Sequence, residues 1–141
     1  MRIKTMLYAI AIEKGDEDTA YGVIVPDIPG CFSAGDTLEE AFENIREAIA
    51  GHLECLVEDD EDIPLARPLG YHFDNEDYQG MTWAIVDVDV SRYLGKTEKV
   101  NVTLPSRLIH LIDDKVASDK ARYKSRSGYL ASLVEQALLK P

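Results

Sequence analysis

Lys99-Val100-Asn101-Val102-Thr103-Leu104-Pro105-Ser106 alternates strictly, with Val100, Val102 and Leu104 on one side and Lys99, Asn101 and Thr103 on the other. This is the period-two pattern of a strand with one buried face. Pro105 suits the first position of a helix, where a missing N–H costs nothing. Leu108, Leu111, Ile112 and Val116 then recur at helical spacing. Beyond a polar break at 120–124, Ser125-Arg126-Ser127 opens a second helix carrying Leu130, Leu133, Val134, Ala137 and Leu138 on one stripe. A strand and two helices over about 45 residues lie near the lower limit for an independent core, and the strand has no partner inside the segment. Two copies that pair these strands antiparallel and share four helices repair both deficits. The sequence therefore predicts a homodimer through residues 99–138, with a higher oligomer left open.

In such a dimer Lys99, Asn101 and Thr103 stand on a two-stranded ribbon that fits a DNA major groove. Lysine reaches guanine acceptors, asparagine makes a bidentate pair with adenine, and threonine contacts a base edge or a thymine methyl. Ser125, Arg126 and Ser127 at the second helix's start offer amide donors and a cation to a phosphate. The charge agrees, since residues 96–141 hold nine Lys/Arg against five Asp/Glu in a chain whose overall net charge is −11. A strand-helix-helix dimerisation module with no DNA role is the blander reading, and the basic sign favours the groove.

Residues 1–95 are of opposite character, with six Lys/Arg against 21 Asp/Glu. An acidic body joined to a basic segment suggests two partners of opposite sign, although an acidic surface also serves solubility. Alternation over Lys4–Glu13 sets Met6, Tyr8, Ile10 and Ile12 on one face of a first strand. A turn at Gly15–Asp18 leads to an antiparallel strand, Ala20–Val25. Pro26-Asp27-Ile28-Pro29-Gly30 ends the pairing, and a short strand, Cys31–Ala34, follows. Asp36 or Thr37, each with a glutamate three positions on, caps a helix running to about Val57. Its stripe is Leu38, Ala41, Phe42, Ile45, Ala48, Ile49, Leu53 and Leu56; Glu39, Glu40, Glu43, Arg46, Glu47 and Glu54 face water. The like-charge run Glu58–Asp62 and two prolines make Ile63–Gly80 an irregular, partly mobile connection. Met81–Val90 is a last strand. The expected fold class is α+β: a β-β-β-α-β layer over 1–92, a linker at 93–98, and a β-α-α domain over 99–141.

Lys-Val-Asn-Val-Thr-Leu-Pro-Ser followed by Ser-Arg-Ser-Gly-Tyr-Leu resembles a ribbon-helix-helix DNA-binding domain over residues 99–138, with Gly128 in the first turn of the second helix as a small departure. Residues 21–32, followed by Gly35-Asp36-Thr37-Leu38-Glu39-Glu40-Ala41 and Asn44-Ile45-Arg46-Glu47-Ala48, resemble the HicB antitoxin family. That resemblance, over about residues 5–57, implies a truncated ribonuclease-H-like domain that binds and covers a small basic mRNA-cleaving toxin, HicA, joined to a DNA-binding domain that represses the operon. The resemblance further implies a toxin whose histidine the antitoxin occludes. Asp27, Phe32, Asp36, Glu39 and Glu43 are the candidate toxin-binding residues here.

Other functions are weaker on the residues. A ribonuclease-H-like outline invites a metal-dependent nuclease using Asp87 and Asp89, but such chemistry needs several converging carboxylates, and in so acidic a chain accidental pairs are common. Neither a catalytic residue nor a cofactor is expected, and the chain reads as no enzyme. His52, His72 and His110 show no metal-ligand spacing, which weakens a metal-sensing repressor. A ligand-gated repressor, with a small molecule in the sheet domain, stays open. The chain has no run of about 18 apolar residues for a membrane span and no secretory signal. Cys31 and Cys55 form no CxxC pair. A cytoplasmic, reduced protein is the simplest expectation.

Overall fold

A computed structural model of the chain describes residues 5–139. These fall into two compact units, residues 5–95 and residues 96–139.

The first unit runs β1 (Thr5–Glu13), β2 (Tyr21–Ile24), β3 (Phe32–Gly35), α1 (Leu38–Glu58) and β4 (Thr82–Asp89). The strands form one antiparallel sheet in the order β3-β2-β1-β4. Each expected strand is present with its ends moved by about one residue, Lys4 lying outside the described residues. The register aligns Tyr8 with Val86, and Ile12 with both Val23 and Thr82. Met6, Tyr8, Ile10, Val23 and Val86 on that face are buried.

Thr37, in extended backbone, caps α1: its Oγ1 accepts from the Glu40 N–H at 3.1 Å, so of the two N-caps the sequence offers, the later one forms. Ala41, Ile45, Ile49 and Leu53, each four residues from the last, are sealed from water. Burying an isoleucine or leucine in this way stabilises the unit by about 1.5–3 kcal/mol per side chain. A Cβ at Gly35 would lie 2.4 Å from the Ala41 nitrogen, so glycine is required where the helix meets the strand end. Gly35 pairs with Tyr21 and Ser33 with Val23. By alternation Gly35 points to the Val23 face, and α1 therefore covers that face.

Residues 59–81 are irregular apart from one turn of 3-10 helix at Glu76–Tyr78, but they are fastened rather than loose. The Tyr8 hydroxyl donates to the Pro64 carbonyl at 2.6 Å, the Ala66 N–H donates to the Met6 sulfur at 3.1 Å, and Ile63 and Ala66 are buried. Burial, assisted by the Asp27 carboxylate, pushes the Tyr8 phenol up to about 12.

The second unit has α2 (Ser106–Ser118) and α3 (Arg126–Leu138). Pro105 is the N-cap of α2, one position before the first helical residue where the sequence reading put it. Lys99–Leu104, expected to pair as a strand with a second copy, is non-helical and belongs to no sheet in the single chain. A strand is defined by ladder hydrogen bonds to a neighbour, and a single copy of this unit supplies none. The chain as a whole is a mixed α+β protein with one four-stranded antiparallel sheet and three α-helices among the described residues.

Candidate interaction surfaces

The sheet unit presents two distinct surfaces. The first is the outer side of α1, where Glu39, Glu40, Glu43, Glu47 and Glu54 are exposed and Asp36 stands just before the cap. Leu38, Phe42 and Arg46 border a shallow depression there with Glu39 and Glu43. The Arg46 guanidinium lies over the Phe42 ring and donates to the Asp87 carboxylate at 2.8 Å, holding that carboxyl below the usual range. The second surface is the sheet face turned away from α1. Phe32 lies on it, since Phe32 aligns with Ile24, and Ile24 with Ala11, opposite in parity to Val23. The sequence grouped Phe32 with Glu39 and Glu43; the fold separates them onto opposite sides of the sheet.

Asp27 is on neither surface. Its side chain is almost wholly enclosed, accepting from the Arg67 N–H at 3.0 Å and sharing a 2.7 Å hydrogen bond with His72 Nε2, with the Arg67 guanidinium 3.9 Å away. This corrects its reading as an exposed contact residue. A carboxylate in the Pro-Asp-Ile-Pro turn satisfies its oxygens internally and ties residues 67–72 to the β2–β3 connection. His72 leads into a ring cluster that sequence reasoning missed: Trp83 packs against Phe73 and Tyr78 at centroid distances of 5.3 and 5.6 Å, and the Arg67 guanidinium lies 4.5 Å over Tyr71. Aromatic density over 71–83 was the available signal.

In the C-terminal unit Lys99, Asn101 and Thr103 are exposed, and so are the alternate residues Val100 and Val102. Ser125 caps α3, its Oγ accepting from the Gly128 N–H at 3.0 Å, and Ser127 is exposed in the first turn. Arg126 is already engaged: its Nε and Nη2 donate to the two Asp113 oxygens at 3.0 and 2.8 Å, a fork-to-fork pair joining α3 to α2. Arg126 holds the Asp113 carboxyl below its usual range, and Asp113 in return raises the guanidinium. The expected phosphate cation is thus first a brace between helices, and Asp113 is a partner the sequence did not announce. Leu108, Leu111, Leu133, Val134 and Leu138 are exposed; among the described residues of this unit only Ile112, Tyr123 and Ser132 are buried.

The family described as HicB_like antitoxin of bacterial toxin-antitoxin systems matches residues 8–134, which takes in both units. This chain belongs to the HicB-like antitoxin family. An uncharacterised 14.9 kDa protein from the rep-hol intergenic region of Haemophilus phage HP1 is 46% identical over 95% of this HicB-like chain and 98% of its own length. Antitoxin HicB 1 of Photorhabdus laumondii is 37% identical over 77% of the chain and 61% of its own. Among solved structures, the Burkholderia pseudomallei antitoxin HicB shares 42% identity at a TM-score of 0.63, covering 94% of this chain and 98% of that one. Antitoxin HicB3 shares 32% at 0.64, covering 96% and 100%. Among the described residues of the HicB-like chain, no group of three or more His, Cys, Asp or Glu side chains is arranged to hold a metal ion, and no helix is long and apolar enough to cross a membrane.

Proposed function

We propose that this HicB-like chain is the antitoxin half of a toxin–antitoxin pair in the cytoplasm. Its acidic sheet unit, a truncated ribonuclease-H-like layer, binds and covers a small basic mRNA-cleaving toxin of HicA type. Its C-terminal unit is a ribbon-helix-helix domain that dimerises and binds operator DNA to repress its own operon.

The observation that carries this reading is the division of charge and of core between the units. Residues 5–95 hold four Lys/Arg against 21 Asp/Glu, and Arg46, Arg67 and Arg92 each face a carboxylate of the same unit. Such a surface raises the encounter rate with a cationic protein and repels nucleic acid. Residues 96–139 carry the basic excess and leave many of their large apolar side chains in water, Val100 at 75% and Val102 at 63% exposure. Pairing Lys99–Leu104 with its copy, antiparallel, turns both valines inward and leaves Lys99, Asn101 and Thr103 outward as base readers. Ser125 and Ser127 then bring α3's first amides to a phosphate, while Arg126, braced by Asp113, sets the angle at which α3 presents them.

Co-expression with a small basic HicA-type protein, sought in the reading frame beside this gene, tests the first half: cells grow when the full chain is present, arrest when it is absent, and the two proteins copurify. Growth arrest despite full-length expression refutes it. For the second half, Asn101→Ala weakens operator binding by about 1–3 kcal/mol and binding to random DNA far less. Equal losses on both refute base reading.

A further inference from the structure

Hydrogen bonds alternate along an antiparallel ladder, and this alternation fixes which backbone groups look outward at the two edges of the sheet. The Val25 N–H donates to the Cys31 carbonyl at 3.0 Å, one step beyond the Ile24–Phe32 alignment, so Val25 and Cys31 face each other as a bonded pair. Counting by two from there, Val23–Ser33 and Tyr21–Gly35 are the bonded pairs of β2 with β3. Gly22 and Ile24 therefore turn their backbone groups to β1, opposite Glu13 and Ala11. The bonded pairs of β1 with β4 are then Ile12–Thr82, Ile10–Ala84, Tyr8–Val86 and Met6–Val88. It follows that Phe32 and Ala34 at one edge, and Trp83, Ile85, Asp87 and Asp89 at the other, direct their N–H and C=O groups away from the sheet.

Helix α1 reaches one of these outward carbonyls at each edge. Asn44 Nδ2 donates to the Ala34 carbonyl at 2.8 Å. Arg46 Nη1 donates to the Asp87 carbonyl at 3.2 Å while its Nη2 holds the Asp87 carboxylate at 2.8 Å. By alternation the Asp87 side chain lies on the face turned away from α1, so the guanidinium crosses the outer edge of β4 to meet it. The two edges differ in length, four residues in β3 and eight in β4. A long exposed edge is a template for another strand, and a charged side chain laid across it is a means of blocking one.

The strand that fits this edge is β4 itself. Set antiparallel about Ile85, two copies of β4 place Asp87 of each opposite Trp83 of the other, and Asp89 opposite Met81, so no carboxylate meets a carboxylate. Ile85 meets its own copy, and β-branched and aromatic side chains pair well across strands. In that register the Asp87 carbonyl accepts from the Trp83 N–H of the second copy. Arg46 takes that place in the single chain.

We propose that Arg46 is an autoinhibitory gate, closing the outer edge of β4 against the β4 strand of a second copy, and that without it two sheets join edge to edge. The gate operates whether or not the chain binds a toxin.

The test uses the purified full chain, with amide exchange along β4 followed residue by residue by NMR and folding followed by thermal unfolding. In the wild type the outward Trp83 and Ile85 amides exchange rapidly. Arg46→Met keeps an apolar stem beside Phe42, removes every donor, and slows both amides by at least about 100-fold. The loss of a cation makes an acidic unit more acidic, so charge alone would drive the copies apart. In a mixture of isotope-labelled and unlabelled Arg46→Met chains, contacts appear between Trp83 of one chain and Asp87 of another. Adding Ile85→Pro, which removes an N–H that β1 does not use, restores fast exchange at Trp83. Asn44→Ala leaves Trp83 and Ile85 fast. The proposal is overturned if Arg46→Met exchanges as the wild type does, if the wild type is already protected, if protection survives Ile85→Pro, or if Asn44→Ala slows the same amides. Should Arg46→Met not fold, Asp87→Ala, which releases the guanidinium from its carboxylate and leaves the carbonyl, is measured instead and slows both amides at least tenfold; no slowing there overturns the proposal equally.

Discussion

In residues 5–95 the side chains of Tyr8, Ile10, Ile45 and Leu53 are sealed from water by elements of the same unit, whereas in residues 96–139 Val100, Val102, Leu111 and Leu138 stand in it. The two units are built from similarly apolar stripes, so apolar patterning does not separate them. Closure does. A four-stranded sheet with a long helix across one face has enough layers to enclose a core, and a lone extended segment with two short helices has not. The first unit is therefore a folded body with a surface to offer, and the second, on the reading proposed above, is half of a fold that a second copy completes.

The largest effect that bears on this contrast comes from Val102→Glu. It puts a carboxylate where the proposed paired ribbon would turn inward, and an unpaired buried charge costs several kcal/mol. Dimer affinity and operator retardation fall by at least about 100-fold, while the sheet unit's thermal transition stays within a few degrees. A full-strength operator complex from this variant would break the contrast.

Ile49→Ala asks the converse question in the closed unit. A cavity beneath α1 destabilises it by about 2–5 kcal/mol, read by urea unfolding, and leaves the C-terminal dimer intact. Leu111→Ala, at a site 64% exposed in the single chain, changes single-chain stability by less than about 0.5 kcal/mol and acts on dimerisation instead. Equal losses at the two positions would show that both cores are closed.

A smaller effect sharpens the picture of the sheet unit at high pH. Folding holds the Tyr8 phenol at about 12 against its ordinary 10.0, so the folded state keeps a proton that the unfolded chain releases. The Tyr8 contribution is whole below pH 10 and is lost as pH rises from 10 to 12, about 2–3 kcal/mol in total. Tyr8→Phe flattens that part of the stability profile and costs about 1 kcal/mol at neutral pH by removing the bond to the Pro64 carbonyl. An unchanged slope between pH 10 and 12 would contradict the buried phenol.

Much of this was legible because it rests on local periodicity. The α1 stripe, the four strands and the two C-terminal helices each announce themselves in spacing, and capping chemistry narrowed the start of α1 to two adjacent residues. What escaped depends on contacts remote in sequence. Asp27 reads as an exposed turn residue until Arg67 and His72, 40 and 45 positions on, close over it. Arg126 reads as a free cation until the turn after α2 brings it to Asp113. The partition of Phe32 from Glu39 and Glu43 follows from strand parity at β3, which one residue of register reverses. Residues 59–81 form almost no regular structure, so no periodic signal could foretell how firmly Pro64, Ala66 and the ring cluster around Trp83 hold them.

The most direct measurement is sedimentation equilibrium of the full wild-type chain at micromolar concentration in moderate salt. The account predicts a mass of at least twice the 15.7 kDa of one chain, falling to the single-chain value with Val102→Glu. A wild-type chain that sediments as one copy and still retards operator DNA would contradict it.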